Sequence, residues 1–137
     1  MSYQDIKEYI PQRSPILMVD ELVSVEGDIA RTMFVVKDNE LLCEDNKLTE
    51  AGLIEHIAQS ASAFAGYKVV SAGATEPPVG LIGEVKNYHC YRRPEIGERL
   101  DTYITFGVTS GEVTIVTGRT LVGDELIAET KLKIAMK

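Results

Sequence analysis

Residues 49–72 read TEAGLIEHIAQSASAFAGYKVVSA, and this stretch decides the fold. Leu53, Ile54, Ile57, Ala58, Ala61, Phe64 and Ala65 recur at three- and four-residue steps, the spacing that lays one wide apolar stripe along a helix. Thr49 carries the side-chain oxygen an N-cap needs. Glu50 puts an acid in the first turn, where it meets the positive end of the helix dipole. From Ala58 to Ala65 there are four alanines and two serines. Side chains that small predict a helix approached closely by other backbone, not one lying on a surface. Ala74-Thr75-Glu76-Pro77-Pro78 stops it, because proline has no amide hydrogen to continue the ladder.

On either side of this helix the pattern is strand-like. Residues 15–26, PILMVDELVSVE, and 29–37, IARTMFVVK, are rich in β-branched residues, and Gly27-Asp28 between them is a hairpin signal. The acidic stretch 38–47, DNELLCEDNK, reads as a loop. Beyond the helix, residues 79–91, 99–109, 112–122 and 125–135 read as strands, with turns at Pro94–Gly97, Ser110-Gly111 and Gly123-Asp124. Tight turns predict that sequence neighbours pair antiparallel. Strands, one apolar helix, then strands make an α+β layout. A single antiparallel sheet of about five to six strands must curl around so apolar a helix to cover it. That arrangement is the hotdog fold, predicted here as one domain over residues 1–137.

The bulk numbers set limits. A chain of 137 residues suffices for one core. The net charge of −7 argues against a general nucleic-acid binder, which needs a basic surface. No apolar run approaches the roughly 20 residues that span a bilayer. The opening MSYQDIKEYIPQR lacks the basic start and apolar stretch of a signal peptide, so the expected location is cytoplasmic. Cys43 and Cys90 lie far apart and, like His56 and His89, fall in no metal spacing. The expectation is reduced, partly buried thiols, with no metal and no cofactor.

Three segments then carry a resemblance. Ile10-Pro11-Gln12-Arg13-Ser14-Pro15-Ile16-Leu17-Met18-Val19-Asp20 is similar to L-P-H-R-x-P-F-L-L-V-D. Ile54-Glu55-His56-Ile57-Ala58-Gln59 is similar to a helix motif E-A-x-A-Q. Asn87-Tyr88-His89-Cys90-Tyr91-Arg92-Arg93-Pro94, followed by Ile96-Gly97-Glu98-Arg99-Leu100, is similar to N-x-x-F-x-R-P-x-x-x-G-D-x-L. In order and approximate spacing these resemble the bacterial β-hydroxyacyl-[acyl-carrier-protein] dehydratases of the hotdog fold, in particular the divergent branch of aryl-polyene-type pathways. The departures are specific. Family enzymes carry a loop of the type H-F-P-G-x-P-x-M-P-G with a catalytic histidine, whereas here no histidine precedes His56 and the stretch Cys43–Gly52 is shorter. The opening H-R has become Gln12-Arg13.

The resemblance implies dehydration of a 3-hydroxyacyl thioester, which needs a base for the C2 proton and a proton for the departing C3 hydroxyl. Glu55 matches the family's helix carboxylate and, if buried, has its pKa raised into a useful range. Otherwise it meets solvent or pairs with an arginine. Gly52 is implied as the N–H donor to the thioester carbonyl, or is kept for close packing. Gln59, one turn after Glu55, either orients it, binds substrate, or caps neighbouring backbone. His56 points about 100° away from Glu55 around the helix and replaces the missing histidine only through a subunit interface. His89 either acts or packs in the sheet. Arg92, Arg93, Arg99 and Lys86 form the densest positive cluster, suited to dock an acidic carrier protein, or else are solvated charge. Met18, Met33, Phe64 and Tyr67 line an acyl tunnel or simply pack.

Three functions compete. The first is a 3-hydroxyacyl-carrier-protein dehydratase with a modified site. The second is a non-catalytic partner subunit of an active hotdog protein. The third is a hotdog thioesterase. Each implies an acyl-carrier-protein or CoA thioester as ligand, and a homodimer or a heterodimer with another hotdog subunit, since a curled sheet leaves a strand edge open.

Overall fold

The computed structural model describes residues 3, 5–39, 41–73 and 80–136, and for residues 80–83 and 136 the backbone alone. In chain order a short 3-10 turn at Ile6–Glu8 precedes β1 (Glu21–Glu26), β2 (Ile29–Val35), β3 (Cys43–Glu44), β4 (Lys47–Leu48), α1 (Glu50–Ser71), β5 (Gly80–Cys90), β6 (Arg99–Ser110), β7 (Val113–Val122) and β8 (Glu125–Met136). Six strands form one antiparallel sheet in the order β1-β2-β6-β7-β8-β5, and β3-β4 form a separate ribbon. The helix lies against the inner face of the sheet, as the hotdog arrangement requires.

α1 forms where the periodicity puts it. Thr49 caps it, its hydroxyl oxygen accepting from the Gly52 N–H at 3.1 Å. Burial is wider than a stripe: every residue from His56 to Gly66 is buried. The small side chains make this possible, because backbone comes very near. A Cβ on Gly66 would collide with the Tyr9 carbonyl, and one on Gly118 of β7 would strike Ile57. The proline segment at 74–78, expected to stop the helix, lies outside the described residues. Within them α1 ends at Ala72, whose N–H bonds back to Val69 and Val70.

The hairpins β1-β2, β6-β7 and β7-β8 pair as expected. Gly27 opens the first with φ 60°, a conformation that side-chain-bearing residues rarely adopt. Three expectations need correction. β5 does not pair with its neighbour β6; it pairs with β8, while β6 pairs with β2. The turn expected at Pro94–Gly97 is present, closed by the Glu98 N–H to Glu95 O at 3.1 Å, but the chain between β5 and β6 is not a hairpin connection. It crosses beneath the start of α1, where the Leu48 N–H bonds to Pro94 O at 2.9 Å. β1 begins at Glu21, not at 15, because the backbone of Met18 is bonded to side chains of α1 instead of to a strand. The loop at 38–47 contains the β3-β4 ribbon, turned through Asp45 (φ 55°) and Asn46 (φ 65°). Asp and Asn are the side-chain-bearing residues that best tolerate this left-handed turn.

The core has two parts. One surrounds Ile57, Ala61 and Phe64. The other gathers Met18, Phe34, Leu48, Leu53, Leu100 and Ile127 at the N-terminal end of α1.

Candidate active site

Glu55 is half-buried and accepts a hydrogen bond at 2.9 Å from the side-chain amide of Gln59, one helical turn on. Gln59 itself is 1% exposed, and its amide is fully used. Its Oε1 accepts from the Met18 N–H at 2.6 Å, and its Nε2 donates to Ile16 O at 2.8 Å as well as to Glu55. Orienting Glu55 and capping backbone, two separate readings from sequence, are here one arrangement.

His56 faces the other way, into the core. It is fully buried, its Nδ1 stands 2.6 Å from Met18 O, and its Nε2 stands 2.7 Å from Thr102 Oγ1. Burial lowers its pKa from 6.5 to about 4, against the opposing pull of the Met18 carbonyl and Asp20. The ring is therefore neutral at pH 7. A carbonyl can only accept, so Nδ1 carries the hydrogen and Nε2 accepts from Thr102. Thr102 in turn accepts from Thr120 at 2.8 Å. Both ring nitrogens are thus occupied inside the molecule.

The segment held by these two side chains forms one wall of a cavity of about 430 Å³. Pro15, Leu17, Met18, Phe34, Leu41 and Leu48 give it an apolar lining, and Lys37, Asp38 and Asn39 bring polar groups to it. Lys37 pairs with Asp20 at 2.6 Å and lies over the Phe34 ring at 4.5 Å. Asn39 Nδ2 donates to Pro15 O at 2.9 Å. Of the four tunnel candidates only Met18 lines this cavity. Met33 lies on the outer face of the sheet, opposite Asp101. Phe64 stacks on Phe106, and Tyr67 sits edge-on to Tyr3 and Tyr9.

The remaining candidates are differently placed. The Gly52 N–H is given to the Thr49 cap, and a Cβ at Gly52 would meet Leu48 Cδ1 at 2.6 Å, so close packing accounts for this glycine. The positive cluster is not a free patch. Arg92 binds both Glu98 (2.7 Å) and Glu125 (3.0 Å), and Arg99 binds Asp101 (3.1 Å). Arg92, with the Glu95 N–H, holds the Glu98 carboxyl below the usual range. Arg93 donates to the carbonyls of Leu48, Glu44 and Lys47, bracing the β3-β4 ribbon. Lys86 lies on β5, separated from Arg99 by β7 and β8, and reaches Glu84 at 3.7 Å. His89 is exposed on the outer face, opposite Glu129. Sequence reasoning missed Thr102, Thr120 and Asn39, which carry no motif. It also missed the Tyr88 hydroxyl, which is enclosed with Cys90 and Glu50 as its polar neighbours; burial first, then these two groups, push its pKa up. Cys43 and Cys90 are free thiols, each half-buried. Among the described residues no helix is long and apolar enough to cross a membrane.

The sequence profile of the ApeP-like proteins, described as ApeP dehydratase, matches residues 4–137. This chain belongs to the ApeP-like dehydratase family. It is also 31% identical over 138 residues to the 3-hydroxyacyl-[acyl-carrier-protein] dehydratase FabZ of Natranaerobius thermophilus, covering 96% of this chain and 94% of that one. The dehydratase heterocomplex ApeI:P of Xenorhabdus doucetiae shares the fold at a TM-score of 0.87, with 16% identity over 98% of this chain and 92% of the other. A sigma28-regulated virulence protein of Campylobacter jejuni, Cj0977, shares it at 0.71, with 12% identity over 96% and 87%. The resemblance read from the three motifs is thereby established at the level of family and fold.

Proposed function

We propose that this ApeP-like protein takes part in dehydrating 3-hydroxyacyl thioesters carried by an acyl carrier protein, with Glu55 serving one of the two proton transfers. Removing the C2 proton and protonating the C3 hydroxyl forms the C2=C3 double bond and releases water. The observation that carries this reading is Glu55 itself. It is a half-buried carboxyl on the apolar central helix, and the Gln59 amide that bonds it also holds the backbone of Ile16 and of Met18, a residue of the cavity wall, although Glu55 itself does not line the cavity. The 31% identity to a 3-hydroxyacyl-[acyl-carrier-protein] dehydratase supports the substrate class.

One observation favours a narrower version. The only side chain hydrogen-bonded to Glu55 among the described residues is an amide, which exchanges no proton in such chemistry, and His56 is occupied in the core. In this version a second hotdog subunit supplies the other acid–base group, and this chain acts as one half of a pair. The name of the ApeI:P heterocomplex fits such an assembly.

The test is mass spectrometry of a 3-hydroxyacyl carrier protein incubated with the purified chain, alone and with a second hotdog dehydratase subunit. Loss of one water that falls about a hundredfold or more in Glu55→Gln supports the reading. Turnover unchanged by Glu55→Gln overturns the role of Glu55. Water loss that appears only with the second subunit selects the paired version.

A further inference from the structure

Residues 14–19 belong to no strand, yet Ser14, Pro15, Leu17 and Met18 among them wall the cavity. Side chains hold them in place of a sheet ladder. Gln59 takes the Met18 N–H and Ile16 O, His56 takes Met18 O, and Asn39 takes Pro15 O. The peptide groups of Met18 are therefore gripped from both sides by residues of α1. His56 is a fixed post: it is 0% exposed, backed by Thr102 and Thr120, and stacked at 5.6 Å on Phe34, another cavity residue. Gln59 is different, because its amide has a second N–H that continues to Glu55. An amide is a rigid plane. A push on Leu17 and Met18 from inside the cavity that displaces the Met18 N–H or Ile16 O must turn that plane, and the hydrogen bond to Glu55 turns with it.

We propose that Gln59, with His56 as its anchor, is a positioning residue that makes the Glu55 carboxyl respond to what fills the cavity. This rests on Glu55 being the reacting carboxyl and deepens that reading. A short acyl group leaves the wall at rest. A longer one presses on Leu17 and Met18 and changes how firmly Glu55 is held. Acyl length is then read through the reactivity of Glu55 as well as through binding, so discrimination falls on kcat and not on KM alone. A purely structural role for the same hydrogen bonds would stabilise the fold but leave Glu55 indifferent to the ligand.

The test needs binding, not turnover. Hydrolysis-resistant acyl-pantetheine probes of increasing chain length are bound to the protein carrying carbon-13 at its glutamate carboxyls, and the Glu55 resonance is titrated by NMR. The expected result is a Glu55 midpoint that moves with chain length by ~0.5 pH unit or more. Gln59→Met should abolish that dependence while the probes still bind. Asn39→Ala, at the exposed end of the wall, should weaken it; this variant decides the matter if Gln59→Met does not fold. A wild-type midpoint indifferent to chain length, probes that do not bind, or an unchanged dependence in the variants overturns the inference. Absence of water loss in the mass-spectrometric assay would overturn the dehydratase reading and leave this result standing.

Discussion

At the scale of single residues, His56 has the most consequential surroundings. Its folded pKa of about 4 lies below the 6.5 of an exposed histidine. Above about pH 6.5 the ring is neutral in both folded and unfolded chains, and its contribution to stability is complete. As pH falls from there towards 4, the unfolded chain binds a proton that the folded one refuses, and stability declines by about 3 kcal/mol. Urea unfolding of the wild type and of His56→Leu between about pH 7 and pH 4.5 should show a pH slope that is shallower in the variant. Equal slopes would mean that His56 is not the responsible group. The Glu55–Gln59 pair was legible because a four-residue step on a helix makes neighbours. The surroundings of His56 were not, because Met18, Thr102 and Thr120 are distant from it in the chain and neither threonine belongs to a motif. The arginines are a different case: like charges adjacent in sequence advertise a patch, while their carboxylate partners are spread out, Asp101 two residues along Arg99's own strand, Glu98 just before that strand and Glu125 at the start of β8.

At the scale of elements, α1 was readable end to end because capping, periodicity and small side chains all pointed to one helix. Thr49→Ala should remove the cap on Gly52 and cost about 1 kcal/mol in urea unfolding. Gly66→Ala should cost more, about 3 kcal/mol, because the neighbour it meets is the Tyr9 backbone, which has less room to give than a side chain. A larger loss from Thr49→Ala than from Gly66→Ala would contradict the packing described. The β3-β4 ribbon escaped notice because two-residue strands have no periodicity to detect. Its one sequence signal was Asp45-Asn46, a pair suited to a left-handed turn. β1 starts later than the apolar run suggests for a physical reason: Pro15–Val19 is apolar like a strand, but its backbone bonds to α1, to Asn39 and to the Arg13 carbonyl instead of to a neighbouring strand.

At the scale of the whole molecule, the hotdog layout followed from pattern, while the order of the strands did not. Tight turns report adjacency, but the crossing segment between β5 and β6 carries no signal of where it leads. That crossing leaves β5 at the border of the sheet, an 11-residue strand paired on one side only among the described residues. Light scattering at micromolar concentration should give the mass of a dimer, since so long an edge is a template for another strand. A monomer mass would refute this. The same strand order bears on how the chain is made. β5 is synthesised well before β8, the strand it must pair with, and β2 likewise precedes β6. On the ribosome the apolar central helix is therefore complete while four of the six strands of its enclosing sheet have not yet been made. The nascent chain must hold that helix out of solution until the last hairpin arrives, a window in which chaperone contact or early docking onto a finished subunit would find its natural target.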